Sequence, residues 1–222
     1  MTDALHRRSF AKHIDGTLRA RPTSLRWLLA IIVTFSLAYG LVMGSFSIDG
    51  HMRAKQMLYS SLKMPLLLLA TFAISLPSFF VLNTLMGVRD DFRIALRSVA
   101  ATQAALSIVL ASVAPLTAVW YASSASYERA VMFNAAMFAL ASIAAQWMLR
   151  RLYRPLIARD PRHRLLLRSW LMIYAFVGIQ MGWLLRPFIG SPGVATTFFR
   201  AESWGNAYVV VWNLLTVAVR GH

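Results

Sequence analysis

Residues 64–86 read MPLLLLATFAISLPSFFVLNTLM and contain no charged side chain over 23 positions. A helix that crosses the hydrocarbon core of a bilayer needs about 20 mostly apolar residues, so this stretch is long enough to span a membrane. A helix that is apolar on every side has to be buried, either in a large protein core or in lipid. The stretch therefore predicts a transmembrane helix.

Four further apolar stretches flank this one along the chain. They cover residues 27–46, 94–121, 130–149 and 165–185. A sixth stretch, 204–219, has only 13 residues between Asn206 and Arg220, and a helix of that length, about 20 Å, is short for a span. The sequence predicts an all-α fold, a polytopic transmembrane helical bundle of five spans plus a short C-terminal interfacial or re-entrant helix, with six spans as the alternative.

The composition of the whole chain supports a membrane protein. Of the 222 residues, 58% are hydrophobic and 14% are charged, whereas soluble domains have about 45–50% apolar and about 25% charged residues. The net charge of +15 comes from basic residues beside apolar runs, which predicts contact with anionic lipid headgroups rather than nucleic acid. The absence of cysteine excludes disulfides and thiolate metal sites, and no cofactor is predicted.

The distribution of basic residues predicts the topology. If the N-terminus is cytoplasmic, 16 of the 23 Lys and Arg residues face the cytoplasm, as the positive-inside rule requires. We therefore expect a multi-pass protein of the bacterial inner membrane. The predicted organisation is a basic, amphipathic cytoplasmic segment over 1–26, a transmembrane bundle over 27–185, and an outer-face cap with the C-terminal helix over 186–222.

Small residues recur at four-residue spacing and predict close helix packing. Small side chains let two helix backbones approach each other in a membrane. The pattern is consistent with packing inside the bundle or against another subunit. The candidate helix-packing residues are Ser36, Gly40 and Gly44 in the first span, and Gly178 and Gly182 in the fifth.

Uncharged polar residues inside the spans are candidates for a polar cavity. They are Asn83, Gln103, Asn134, Gln146 and Gln180. Each is expected either to join helices by hydrogen bonds, worth roughly 1 kcal/mol apiece, or to line a ligand pathway. No Asp, Glu, His or Lys falls within a predicted span, so we expect no buried charge, haem ligation or buried-carboxylate proton relay.

Arginines at both ends of the bundle are candidate contacts for lipid headgroups. Arg150, Arg151 and Arg154 begin a basic segment, 150–168, that is predicted to be a loop because Arg154-Pro155 and Asp160-Pro161 interrupt helix. Arg186 follows the fifth span and is expected to anchor the outer cap. Binding a lipid phosphate, reaching the headgroups without a specific partner, and pairing with Glu202 are the alternatives for Arg186.

Two stretches carry a resemblance to a known family. Residues 63–87, KMPLLLLATFAISLPSFFVLNTLMG, resemble the corresponding span of bacterial Yip1-like membrane proteins, and residues 180–192, QMGWLLRPFIGSP, are similar to a stretch of uncharacterised bacterial polytopic membrane proteins. The resemblance covers roughly residues 63–200 and implies five spans with a cytoplasmic N-terminus. The vesicle-traffic role of eukaryotic relatives is not carried over, because this N-terminus is short and basic.

The sequence predicts a non-enzymatic membrane subunit or scaffold that associates with other membrane-protein subunits or with copies of itself. The small-residue faces and the uncharged spans support this hypothesis. The alternative is a small channel or transporter, in which the polar residues of the spans converge on one cavity. A lipid-modifying enzyme using the Arg186 region ranks last, because no nucleophile or general base is evident.

Overall fold

The structure is a computed structural model, and it describes residues 24–46, 50–124, 126–190, 196–199 and 208–209, with the backbone alone for 50–53. Five long helices are present: α1 Leu25–Met43, α2 Gly50–Leu85, α3 Phe92–Ser123, α4 Tyr127–Arg159 and α5 Arg162–Leu184. The described residues contain no strand. All five helices are long and apolar enough to cross a membrane. The predicted all-α, five-span fold is therefore confirmed, whereas the segment 1–23 and most of the predicted C-terminal helix lie outside the described residues.

Two helices extend well beyond the apolar runs that predicted them. Helix α2 begins at Gly50 rather than near residue 64, and α4 continues to Arg159 rather than ending near residue 149. The prediction that Pro155 interrupts the helix is wrong, because Pro155 lies inside α4. Pro155 is exposed at the basic end of the helix, where water and headgroups can satisfy the carbonyl that proline leaves without a donor.

The segment 150–168 is consequently not a loop. Only Asp160 and Pro161 separate α4 from α5. The Asp160 carboxylate accepts a hydrogen bond of 2.8 Å from the backbone N–H of Arg162 and so caps the start of α5. The two helices are therefore joined by a tight turn at the end of the bundle that carries most of the described arginines.

The helices form a ring in the order α5, α2, α1, α3, α4. Helix α1 packs between α2 and α3, and its approach to α2 depends on glycine. A Cβ atom added at Gly40 would lie 2.5 Å from the Ser60 carbonyl oxygen, and one at Gly44 would lie 2.7 Å from that of Gln56. The ring closes between α4 and α5, where the helices pack more thinly than at its other junctions.

Candidate intramembrane cavity

A cavity of about 460 Å³ lies behind the thin junction of α4 and α5. Helices α2, α3, α4 and α5 each contribute to its wall. Leucine and aromatic side chains form most of the lining, and a small set of polar side chains projects among them. The polar members are Thr71, Thr102, Gln103, Ser142, Gln146 and Tyr174.

One hydrogen bond joins α3 to α5 across this cavity. The Tyr174 hydroxyl donates to Gln103 Oε1 at 2.8 Å, and Gln103 is buried. Thr102 instead donates to the Ser98 carbonyl of its own helix. The Gln103–Tyr174 pair therefore fixes a polar group in the cavity wall, and the Thr102 hydroxyl is oriented by its own backbone.

Two buried polar atoms of the wall have no partner among the described residues. They are Thr71 Oγ1 and Gln146 Oε1, and Thr71 is only 1% exposed. An unsatisfied buried polar group costs about 1–3 kcal/mol. Cavities with a few polar groups in an otherwise apolar wall are typical of ligand sites. A ligand that carries a hydroxyl or amide group can supply the hydrogen bond that either atom lacks.

The structure brings together only part of the set predicted to form a polar cavity. Gln103 and Gln146 line the central cavity. Asn83 donates to the Phe79 carbonyl of its own helix at 2.7 Å, and Asn134 and Gln180 lie outside this cavity's lining. The fold therefore does not form a channel that all five residues line.

Asn134 borders a second cavity, of about 390 Å³, between α4 and the turn that follows α5. Its side chain accepts from the Tyr39 hydroxyl at 3.0 Å and donates to Tyr121 and to the Ala130 carbonyl. Both amide hydrogens are thus in use. Asn134 therefore joins α1, α3 and α4 through its hydrogen bonds. We call the second cavity the outer cavity because it lies at the predicted outer end of the bundle.

The two cavities share one aromatic residue among their described lining residues. Phe138 lines both the central cavity and the outer cavity. Its ring meets that of Tyr39 edge to face, with a centroid separation of 5.8 Å, and the side chain is half-buried. The two cavities are therefore neighbours along α4, with Phe138 at their boundary.

The turn after α5, residues 186–189, is held on α2 by three polar side chains. Lys63 Nζ donates to the Pro187 carbonyl at 2.8 Å. Gln56 Nε2 donates to the Phe188 carbonyl at 3.1 Å, and the Ser60 hydroxyl donates to the same oxygen. We call this turn the cap. Its described anchor is α2, while the guanidinium of Arg186 lies 3.3 Å from the Trp183 ring centroid.

Lys63 overturns the expectation that the helices contain no buried charge. It lies inside α2 and is completely buried, with its ammonium also 5.0 Å from the centroid of the Phe198 ring. The sequence offered a signal, because Gln56, Ser60 and Lys63 recur at i, i+4 and i+7 on one helix face. Boundaries drawn by hydropathy placed all three in a loop.

At the basic end, Asp91 ties the start of α3 to the turn between α4 and α5. Its carboxylate lies 2.8 Å from Arg159 Nη1 and 3.1 Å from His163 Nε2. His163 is completely buried. Arg162 Nη1 adds a 3.0 Å bond to the Met86 carbonyl. These contacts join four helix ends into one polar cluster.

Three of the predicted headgroup-binding arginines share an exposed face of α4. Arg150, Arg151 and Arg154 line a surface groove of about 340 Å³ together with Trp147, which is 69% exposed. Neither described ion pair involves these arginines. The placement agrees with the depth expected of Trp and Arg where hydrocarbon meets headgroups, and lipid binding itself remains a prediction.

The five long apolar helices define a multi-pass helical membrane protein. Comparison with protein-family models, curated proteins and solved structures gave no match. The likeness to Yip1-like proteins therefore remains a prediction, and the cavities are the features of the structure that indicate a function.

Proposed function

We propose that this membrane protein binds a small amphipathic molecule in the central cavity. The observation that carries the proposal is the combination of apolar walls with two unpartnered buried atoms, Thr71 Oγ1 and Gln146 Oε1. Apolar walls favour a hydrocarbon chain, and the two atoms favour one hydrogen-bonding group on it. A cavity of about 460 Å³ lies within the range of small-molecule sites.

The junction of α4 and α5 is the route by which such a molecule reaches the cavity. Gly178 leaves space on α5, where an added Cβ would meet only Thr71 Cγ2 at 3.5 Å. Ala175 and Ile179 of the same wall are exposed on the outside of the bundle. Lipid covers that surface in a membrane, so a ligand dissolved in the bilayer enters sideways without crossing water.

The proposal is tested with a photoactivatable fatty alcohol on the purified full-length protein in lipid nanodiscs. Its chain matches the apolar wall, and its hydroxyl can donate to Thr71 or Gln146. We expect cross-links on α4 and α5, and Ser142→Trp should lower their yield by about tenfold by filling the cavity. Ile143→Trp is the control, because Ile143 is 68% exposed and lies outside the lining.

Two results would overturn the proposal. One is cross-linking confined to lipid-facing residues such as Ile143. The other is an equal loss of yield in Ser142→Trp and Ile143→Trp, which would show that the bulky side chain acts through general disturbance of α4. Comparing the thermal unfolding of both variants in detergent separates that case from specific blockage.

Association with another membrane protein or a second copy is the second candidate function. It is favoured by Ala136 and Ala139, two small exposed residues of α4 that lie outside the linings of both cavities. By contrast, Gly40 and Gly44 pack against the backbone of α2 inside the bundle. Because the chain has no cysteine, disulfide trapping of Ala139→Cys in membranes tests self-association directly. Absence of a covalent dimer, with Ile143→Cys as comparison, would count against a self-association face there.

A further inference from the structure

We infer that the ligand of the central cavity is a single-chain lipid phosphate, whose phosphate binds to Arg150 and Arg154 and whose chain lies along α4 inside the cavity. The inference rests on the proposed function and extends it, because it names the class of ligand and its orientation. A free hydroxyl next to the phosphate completes the class, and lysophosphatidic acid is its simplest member.

One row of residues along α4 joins the central cavity to the basic surface groove. Phe138, Ser142 and Gln146 line the central cavity, whereas Arg150 and Arg154 line the groove. These five residues recur at every fourth position, and residues at i and i+4 of a helix are neighbours on one face. The row therefore changes in order from aromatic to polar to basic, and the cavity and the groove lie next to each other along α4.

The groove presents arginine donors, and its described lining contains no carboxylate. Arg150, Arg151 and Arg154 are exposed, and neither described ion pair involves them. Like charges at i and i+4 of a helix repel each other, so Arg150 and Arg154 are stabilised when an anion lies between them. Because arginine binds phosphate oxygens through two parallel hydrogen bonds, the groove favours a phosphate.

The groove lies at the depth of lipid phosphates. Trp147 lines it and is largely exposed, and tryptophan is enriched where hydrocarbon meets headgroups. Gln146 precedes Arg150 by one helical turn, about 6 Å along the axis toward the middle of the bundle. A phosphate bound in the groove therefore stays at the level of the headgroups, while the next part of the same molecule lies beside Gln146.

Gln146 adds a requirement for a hydrogen-bond donor close to the phosphate. Its Oε1 can only accept a hydrogen bond, and it receives none from the described residues. In a two-chain glycerophospholipid, both glycerol oxygens beside the chains are esterified and carry no hydrogen. A lysophospholipid keeps one free hydroxyl there, close to the phosphate ester, so this hydroxyl can donate to Gln146 while the phosphate lies on Arg150.

The central cavity gives the chain an apolar path. Gln146 and Phe138 are separated by eight residues, about 12 Å of helix, and leucine and aromatic side chains form most of the lining over this distance. The chain can enter sideways between α4 and α5, because its phosphate never has to leave the level of the headgroups. The end of the chain then lies near Phe138.

The test uses a lysophosphatidic acid with a photoactivatable group at the end of its chain, and the full-length protein in nanodiscs of a zwitterionic lipid. We expect cross-links in the central cavity near Phe138. Arg150→Gln combined with Arg154→Gln should lower their yield by about tenfold or more. A tenfold change corresponds to about 1.4 kcal/mol, and a hydrogen bond to a charged group contributes at least this much.

A second pair of arginines on α3 provides the matched control. Arg93 and Arg97 are exposed, have the same spacing of four residues at the same end of the bundle, and lie outside the described linings of the cavity and the groove. Arg93→Gln combined with Arg97→Gln removes the same charge and should leave the yield unchanged. An equal loss in both double variants would show a general effect of charge and would overturn the inference.

A second probe tests the role of the hydroxyl. It is an alkyl phosphate with the same length of chain and the same photoactivatable group, but without the hydroxyl. Gln146→Leu should lower the yield from lysophosphatidic acid by about threefold to tenfold, the effect of losing one neutral hydrogen bond, and leave the yield from the alkyl phosphate unchanged. Equal effects on the two probes would contradict the hydrogen bond to Gln146.

Competition on the unchanged protein distinguishes a lipid from a soluble phosphate and does not depend on the folding of any variant. Unlabelled lysophosphatidic acid should remove the cross-links. Glycerol 3-phosphate carries the phosphate and hydroxyl groups without the chain, and should leave the cross-links in place at tenfold higher concentration. If it removes them equally well, the groove binds a soluble phosphate ester and the inference is wrong.

The inference and the proposed function fail in different ways. If the fatty alcohol labels the central cavity but labelling by lysophosphatidic acid is the same in the α4 and α3 double variants, the inference is wrong and the proposed function stands. If neither probe labels the central cavity, both are wrong. Labelling by lysophosphatidic acid only on the exposed surface of α4 would likewise overturn the inference.

Discussion

Gly40 of α1 shows how closely two helix backbones approach each other where the side chain is only a hydrogen atom. At Gly40, the nearest backbone atoms to an added Cβ are the Ser60 carbonyl oxygen at 2.5 Å and Ser61 Cα at 2.7 Å. Backbone atoms cannot rotate away as a flexible side chain can, so the helices themselves must separate. At Gly182 no atom of the described residues lies within 4 Å of an added Cβ, although the sequence pattern is the same.

We predict that Gly40→Ala lowers the free energy of unfolding by about 1–3 kcal/mol, the usual range for overpacking. Gly182→Ala should leave it unchanged or raise it by up to about 1 kcal/mol, because alanine is the better helix former. Unfolding by titration with a denaturing detergent, followed by circular dichroism, measures both. Equal destabilisation by the two substitutions would contradict the close contact of α1 with α2.

Sequence spacing predicted the glycine faces but could not assign their partners. Ser36, Gly40 and Gly44 share a face of α1, as expected from their spacing, and Ser36 bonds to the Ile32 carbonyl of its own helix. Which surface meets that face depends on the order of helices in the ring, and no local pattern encodes it. Gly178 and Gly182 have the same spacing, yet among the described residues only an added Cβ at Gly178 would meet a neighbour, Thr71.

At the scale of elements, the early start of α2 determines how the outer end is built. The first turns of α2 carry Gln56, Ser60 and Lys63, and the carbonyls of Pro187 and Phe188 accept their hydrogen bonds. A backbone carbonyl with a buried ammonium donor is strongly held, because hydrogen bonds within the protein replace the hydration that the ammonium has lost. The cap is therefore an extension of α2 packing and not an independent loop.

We predict that Lys63→Met loosens the cap. Methionine keeps the length of the apolar stem but removes the donor to the Pro187 carbonyl. The cysteine-free chain allows a direct measurement through Ile189→Cys, a cap position that is 5% exposed in the parent protein. Its reaction with a water-soluble maleimide should become about tenfold faster when Lys63→Met is added, if the lost bond is worth about 1.4 kcal/mol.

Lys55 provides the matched control for this measurement, since it is an exposed lysine on the same helix. Lys55→Met should leave the Ile189→Cys rate unchanged. If Lys63→Met also leaves the rate unchanged, the cap is held by its apolar contacts, such as those of Phe188, and the buried lysine has another role.

At the scale of the whole molecule, the apolar composition of the chain predicted more of the fold than the spacing of particular residues did. The apolar runs predicted the number and the type of helices, because about 20 apolar residues have few alternatives to crossing a membrane. The helix ends were less predictable, since Lys63 and Pro155 look like boundaries and are not. The hydrogen bond to the Pro187 carbonyl stabilises Lys63 inside α2. Pro155 is accommodated in α4 because it is exposed near the end of that helix.

The sequence predicted the kind of polar residue that lines the central cavity but not which of the candidates would line it. Gln103 and Gln146 were candidates because amides are rare inside spans, and both line the central cavity. Asn83 met the same criterion but bonds within its own helix. Phe138 lines both cavities, and Arg186 lines the outer one, only because the helix order places α4 beside the cap. Residue type restricted the candidates, and packing selected among them.

The arrangement of charge over the whole bundle leads to the last prediction, the orientation in the membrane. Helix α4 has 33 residues, about 50 Å at 1.5 Å per residue, against about 30 Å of hydrocarbon. Since Trp120 and Phe133 stack at the opposite end, the excess length projects at the basic end with Arg150, Arg151 and Arg154. The positive-inside rule then places this end in the cytoplasm.

Single cysteines test the orientation without background, because the parent chain has none. Ala122 and Ala158 are exposed near opposite ends of the bundle. In spheroplasts of an expressing bacterium, a membrane-impermeant maleimide should label Ala122→Cys at once and Ala158→Cys only after permeabilisation. The reverse pattern would place the arginines outside and contradict the assignment. It would also turn the outer cavity and the cap toward the cytoplasm.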